Sequence, residues 1–368
     1  MKIVLTGAGG GHFYPLIAVA ERIRKEVFVQ KIVPPEMYFF SDAPYDEKLL
    51  FGAQIKFVRI PAGKLHVYPS LENITNIFKT AYGCLVALAK LYAVYPDAVF
   101  AKGGYASFPT LFAARFLNIP VIVHESDTVP GRTTTWAGKF ALRIALSYAE
   151  AAPFFPKEKA ALTGQPIRDG VLPPLGYKRG PTQNERPTIL ILGGSQGSQR
   201  INEAIVNVLP ELLNTYDIVH QVGPQNVDEM KQVTASVLRD HKFKDHYFME
   251  GFIDVAVFYP KVDMAITRAG SQMFEMVEWQ LPMLIIPIPE TISRDQRSNA
   301  HAMAGRGVGT ILEENNLGNS VLLAEVRRIL DDKEVYAKMT ARCAEVAMSH
   351  DASGVISREL VRIGLSHV

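Results

Sequence analysis

One pattern limits what this chain can fold into: a short apolar strand, a glycine-rich loop and an apolar-striped helix, present at residues 1–20 and again from residue 188. The first copy runs from Met1 to Leu5 into Thr6-Gly7-Ala8-Gly9-Gly10-Gly11-His12, with Leu16, Ile17, Val19 and Ala20 following at helical spacing. The second runs from Thr188 to Leu192 into Gly193-Gly194-Ser195-Gln196-Gly197-Ser198 and a helix from Ile201. Apolar runs at 37–40, 98–101, 121–124, 218–222, 264–267 and 283–287 alternate with helix-period segments. Strands that are apolar on both faces belong in parallel sheets covered by helices, so the class is α/β. Pro166, Gly170, Pro173, Pro174, Gly176, Gly180, Pro181 and Pro187 break the pattern and predict a linker over 166–187. A first domain over 1–165 and a second over 188–345 follow, with ligands expected at the carboxyl ends of the strands, in a cleft that the domains face.

At 368 residues and 48% hydrophobic, the chain can bury two cores of ordinary size. Its net charge is +2, but residues 1–165 carry 18 Lys/Arg against 12 Asp/Glu, so the first half is basic and the remainder acidic. That asymmetry suits an anionic surface or polyanionic substrate, and equally a set of solvated lysines. Cys84 and Cys343 stand far apart and outside metal spacing, which argues for a reducing compartment and against a disulfide or zinc framework. No leader and no run of about 18 apolar residues is read. A cytosolic protein, peripheral to a membrane at most, is expected.

Five segments carry chemistry. Gly7, Gly9, Gly10 and Gly11 bring backbone amides where any Cβ would intervene, and His12 stands at the rim. A dinucleotide fingerprint fails, because G-x-G-x-x-G meets His12 when counted from Gly7 and Tyr14 when counted from Gly9. A phosphate cradle with a proton-transfer group, or a tight turn alone, remains. Ala101-Lys102-Gly103-Gly104-Tyr105 offers a second glycine loop, and His124-Glu125-Ser126-Asp127 ends an apolar strand. The Gly193–Ser198 loop lacks the Gly-Lys-Ser/Thr ending of a P-loop. Thr267-Arg268-Ala269-Gly270-Ser271 opens a helix as an anion site, with Glu275 one turn on and suited to sugar hydroxyls. Polar residues 294–300 could read hydroxyls too, and each segment has an ordinary turn or solvated-face reading beside it.

In this order the segments resemble the MurG family, peptidoglycan glycosyltransferases that move N-acetylglucosamine from UDP onto lipid I to give lipid II. The likeness rests on Gly9-Gly10-Gly11-His12 with Pro15, Gly103-Gly104-Tyr105, His124-Glu125 with Pro130-Gly131, Thr163-Gly164-Gln165-Pro166-Ile167-Arg168, Gly193-Gly194-Ser195-Gln196-Gly197, Arg268-Ala269-Gly270, and Asp295-Gln296 with Asn299-Ala300. It implies a GT-B architecture of two Rossmann-like domains, the first for the acceptor and the second for the donor, with 346–368 returning to the first as a helix. It also implies uracil against Phe252 and Ile253, ribose near Glu275, and the donor diphosphate near Arg168, Ser195, Gln196 and Arg268, Ala269, Gly270 and Ser271. Gln296 and Asn299 would meet the N-acetylglucosamine. Gly9, Gly10, Gly11, Gly103, Gly104, Tyr105, His124, Glu125 and Asp127 would hold lipid I, with His12 or Asp127 as general base. No cofactor, no metal and no nucleic acid is expected; the partners are UDP-GlcNAc, lipid I and an anionic membrane surface at the cytoplasmic face of the bacterial plasma membrane.

Four positions depart from the family pattern. Gly9 replaces threonine, Ser126-Asp127 replaces Gln-Asn, the interval from Arg268 to Glu275 is one residue shorter, and Asp295 stands where some members have glutamine. Asp127 can act as base or raise the pKa of a nearby histidine. Between Ser70 and Tyr92 a helix is expected, with Leu71, Ile74, Ile77, Phe78, Tyr82 and Leu85 along one side. Lys64, His66, Tyr68, Lys79 and Lys90 lie near it. The stripe fits a membrane interface or a buried core face. Another lipid-directed GT-B transferase, a UDP-sugar 2-epimerase and a nucleotide-sugar sensor are the alternatives.

Overall fold

The computed structural model describes residues 1–64, 70–180, 185–194, 196–290, 296–347 and 351–366. They form two compact units. The first holds a seven-stranded sheet of β1 (Lys2–Thr6), β2 (Glu36–Ser41), β3 (Ile55–Arg59), β4 (Ala98–Ala101), β5 (Val121–Glu125), β6 (Arg143–Leu146) and β7 (Ala160–Leu162). Its order is β3-β2-β1-β4-β5-β6-β7, parallel throughout. β1 explains why both faces must be covered: Ile3 and Leu5 pack into one core cluster and Val4 into another. The helix Phe13–Val29 covers the first face.

The second unit repeats this layout with β8 (Thr188–Leu192), β9 (Asp217–Gln221), β10 (Tyr247–Glu250), β11 (Met264–Thr267), β12 (Met283–Ile285) and β13 (Gly309–Ile311). The order is β10-β9-β8-β11-β12-β13, again all parallel. Ile189 and Ile191 pack under the helix Gln199–Leu212. In each sheet the order reverses beside the strand that opens the unit, between β1 and β4 and between β8 and β11. Glycine loops follow β1, β4 and β8, so they emerge where an open α/β sheet leaves a crevice for ligands.

Part of the proline- and glycine-rich stretch expected as a linker is stitched to the second unit. Arg179 donates to the carbonyls of Tyr259, Val262 and Trp279, and Trp279 Nε1 donates to Val171 at 2.7 Å. Arg168 stays with the first unit. The helix Ala352–Ser366 packs on the first unit, where Ile356, Leu360, Val361 and Ile363 join the cluster around Phe13–Val29 and Ser357 Oγ donates to Val19 O at 3.1 Å.

The helix Leu71–Val94 is capped by Ser70, whose hydroxyl accepts from Glu72 N at 3.2 Å. Ala87 and Leu91 bury one side. The expected apolar stripe lies on the other side: Ile77 is 55% exposed, Phe78 71% and Tyr82 62%. A buried core face therefore does not account for it. His66 and Tyr68 lie outside the described residues.

Candidate functional site

In the first unit, strand ends bring the two glycine loops together. Gly10 (φ +64°) and Gly103 and Gly104 (φ +83° and +80°) adopt backbone conformations that L side chains avoid. A Cβ on Gly104 would come within 2.7 Å of the Ala8 methyl, so the loop after β4 rests directly on the loop after β1. Ser41 Oγ, at the end of β2, donates to Gly7 O at 2.7 Å. Beyond it, Asp42 accepts from Tyr45 Oη and from Tyr105 Oη, each at 2.6 Å. The Tyr45 ring lies over Gly9, where any Cβ would strike it. The space that a side chain at position 9 would need is thus filled by an aromatic face.

His12 follows the first loop, and its Nδ1 lies 3.1 Å from Lys102 O. A carbonyl can only accept, so Nδ1 carries the proton and Nε2 keeps its lone pair. Burial, and then the Lys102 ammonium, hold the ring's pKa below its ordinary 6.5, while Asp127 pulls the other way. His12 is therefore neutral at pH 7, with a basic nitrogen to offer.

Lys102 is only 2% exposed. Its Nζ donates to His124 Nδ1 at 2.8 Å and to Ser126 Oγ, and lies 3.4 Å from Gln165 Oε1. Burial pushes its pKa down to about 8. His124 Nε2 faces Gly164 O at 2.9 Å, which fixes the opposite tautomer from that of His12. Burial and the Lys102 charge hold His124 neutral. Glu125 accepts from the amides of Ser126 (2.8 Å), Asp127 (3.1 Å) and Gly131 (3.1 Å), so it shapes the loop that carries Asp127. Burial, reinforced by Asp127, pushes Glu125 up to about 7. His124 and Glu125 are buried supports beneath the site, whereas His12 and Asp127 are half-buried.

The second unit builds its loops in the same way. Gly194 (φ +91°) and Gly197 (φ +75°) shape the loop after β8. Gln221, at the end of β9, donates to Gly194 O and accepts from Ile253 N, both at 3.0 Å. It joins the glycine loop to the segment carrying exposed Phe252 and buried Ile253. Arg268 donates to Ile286 O (3.1 Å), Pro287 O (3.2 Å) and Ser198 Oγ (2.5 Å), and pairs with Glu314 at 2.5 Å. Its terminal N–H groups are committed to bracing three strand ends. Asn299 donates to Ala269 O at 3.2 Å, and Gln296 Oε1 accepts from Ile288 N at 3.3 Å. Glu275 is half-buried and accepts from the buried Tyr259 hydroxyl at 2.9 Å. Gln196 is exposed; Ser195 and Asp295 lie outside the described residues.

The residues expected at the donor thus gather in the second unit, except Arg168, whose guanidinium sits 5.5 Å from the Tyr14 ring of the first. Sequence reasoning missed Asp42, Tyr45 and Gln221, and named Lys102 and Gln165 without giving either a role. The one signal available was Lys102 itself, a charge ending an apolar strand.

Known proteins resemble this chain along most of its length. The glycosyltransferase family 28 N-terminal domain matches residues 3–146 and the family 28 C-terminal domain residues 188–353. A protein of Shouchella clausii, named UDP-N-acetylglucosamine--N-acetylmuramyl-(pentapeptide) pyrophosphoryl-undecaprenol N-acetylglucosamine transferase, is 35% identical over 95% of this chain and 97% of its own. Acinetobacter baumannii MurG superposes with a TM-score of 0.71 at 22% identity, covering 98% of this chain and 99% of that one. UDP-GlcNAc 2-epimerase from Neisseria meningitidis shares the fold at a TM-score of 0.67 and 14% identity, covering 98% and 100%. By sequence likeness along nearly its whole length, the chain belongs to the MurG family of glycosyltransferases.

Proposed function

We propose that this protein transfers N-acetylglucosamine from UDP-N-acetylglucosamine to the 4-hydroxyl of the muramoyl sugar of lipid I, forming lipid II. The observation that carries this reading is His12, its Nδ1 held by Lys102 O so that Nε2 keeps the lone pair, beside two interlocked glycine loops in a chain whose relatives are named for that transfer. The acceptor diphosphate lies against the amides of Gly9–Gly11 and Gly103–Gly104. The 4-hydroxyl oxygen attacks the anomeric carbon, its proton passes to His12 Nε2, and the bond to UDP breaks with inversion. Backbone amides of the loops after β8 and β11 take up the negative charge that grows on the leaving diphosphate. Phe252 and Ile253 flank the uracil and Glu275, steadied by Tyr259, accepts from the ribose. Arg268, Gln296 and Asn299 hold the donor loops in shape. Asp127 is the second candidate for the base.

The acceptor is lipid-linked, and the exposed stripe of Leu71–Val94, flanked by exposed Lys64, Lys79 and Lys90, supports a peripheral seat on an anionic membrane surface at its cytoplasmic face. The test is UDP release. It should require lipid I, and His12→Ala should lower kcat by about a hundredfold or more while leaving the KM for UDP-N-acetylglucosamine unchanged. Wild-type turnover in that variant would remove His12 as base. Epimerisation of the donor without acceptor would replace the transferase reading.

A further inference from the structure

The side chain that fills the space beside Gly9 is held there against its own backbone. Tyr45 has φ +60°, in the region that L side chains avoid, at the centre of a three-residue turn closed by Asp46 N donating to Pro44 O at 2.7 Å. Strain of this kind persists only where the surroundings impose it, and it gathers at sites that bind or react. Here the surroundings are specific. The ring centre stands 6.0 Å from that of Phe13 and 6.2 Å from that of Phe39, the ring lies over Gly9, and the hydroxyl donates to Asp42 Oδ1 at 2.6 Å. Tyr45 nevertheless stays 39% exposed, so a ligand in the glycine loop can reach it.

Asp42 receives two phenols, Tyr45 on Oδ1 and Tyr105 on Oδ2, each at 2.6 Å. Tyr105 follows Gly104 and packs against Ala8, so this carboxylate borders both glycine loops. Burial, and then the bond to Asp42, push the Tyr45 phenol up to about 12, and it keeps its proton at neutral pH. A phenol has one proton, and both protons here are committed to the carboxylate. Each phenol oxygen then has only lone pairs to offer a ligand. A phosphate oxygen, itself an acceptor, gains nothing from such a neighbour, whereas an N–H or O–H does.

We infer that Tyr45 is a further acceptor-binding residue, its oxygen accepting from an N–H or O–H of the muramoyl sugar, and that Asp42 is the positioning residue that keeps it an acceptor and leaves the diphosphate to the loop amides. The inference rests on the acceptor proposed above. That sugar is joined directly to the diphosphate, so a group bordering the loop that receives one borders the other.

The test sets lipid I against undecaprenyl diphosphate, a competitor with the same tail and diphosphate but no sugar. Tyr45→Phe keeps the ring over Gly9 and removes only the oxygen. It should raise the KM for lipid I about tenfold, the worth of one hydrogen bond, with the KM for UDP-N-acetylglucosamine and the inhibition constant of undecaprenyl diphosphate within about twofold of wild type. An unmoved KM for lipid I overturns the inference. Equal weakening of lipid I and undecaprenyl diphosphate also overturns it, because the oxygen would then serve the diphosphate or its loop. Asp42→Asn leaves one acceptor atom for two phenols, so one phenol proton is released to a phosphate oxygen. Undecaprenyl diphosphate should then inhibit about threefold more strongly, and unchanged or weaker inhibition refutes the role of Asp42. If Tyr45→Phe does not fold, the inference stands or falls on Asp42→Asn alone. A wild-type chain that releases no UDP with lipid I removes the transferase reading and this contact with it; wild-type turnover with Tyr45→Phe unmoved removes the contact alone.

Discussion

At position 9 the residue is chosen by Tyr45. The tyrosine ring, held by Asp42, takes the volume that a side chain would need, and a threonine at position 9 cannot fit unless the ring moves. Gly9→Thr should therefore destabilise the protein by about 1–3 kcal/mol, the usual cost of overpacking. Gly9→Thr with Tyr45→Ala should recover most of that loss in a denaturant titration. If the double variant is no better than the sum of its parts, the ring is not what excludes the side chain. Glycines were readable in the sequence as loop formers because their backbone freedom is local. Neither the reason for Gly9 nor the role of Lys102 was readable, because their partners arrive from other strand ends. Lys102 meets His124 and Ser126 from β5 and its following loop and Gln165 from beyond β7, and only the sheet order brings these together.

Among elements, legibility follows position in the sheet. The eight strands read from the sequence are β1, β2, β4, β5, β8, β9, β11 and β12, all interior and nearly all apolar on both faces. The five that escaped are β6 and the four edges, β3 and β7 in one sheet and β10 and β13 in the other. An edge strand has one neighbour and keeps exposed residues, as Lys56 in β3 and Phe248 in β10 do, so the continuous apolar run that marks a buried strand is missing. The helix Leu71–Val94 posed a different problem, since periodicity reports an apolar stripe but not what covers it. Here the stripe faces outward. Replacing Ile77 and Phe78 by glutamate should leave stability within about 0.5 kcal/mol, because both are exposed, yet abolish sedimentation with anionic vesicles. Unchanged sedimentation of the folded variant would end the membrane reading of this helix.

For the whole molecule, each unit carries its own core and one of the chain's two tryptophans, Trp136 in the first and Trp279 in the second. That allows the units to be followed separately. Ending the chain after Asp351 removes Ile356, Leu360, Val361 and Ile363 from the first core. At about 1.5–3 kcal/mol for each buried side chain, the loss is comparable to the whole margin of an ordinary domain. The expected result is red-shifted Trp136 emission at a temperature where Trp279, isolated by Trp136→Phe, still reports a folded second unit. Equal melting of Trp136 in the full and shortened chains would show that the terminal helix is dispensable.

The returning helix also sets an order of events during synthesis. Every residue of the second unit is translated before Ala352–Ser366, whereas the first unit, although begun first, lacks the helix that packs on Phe13–Val29 until that segment emerges. The unit begun earliest is therefore the one completed last, and a chain cut short anywhere before residue 352 leaves its first glycine-loop unit without its closing helix.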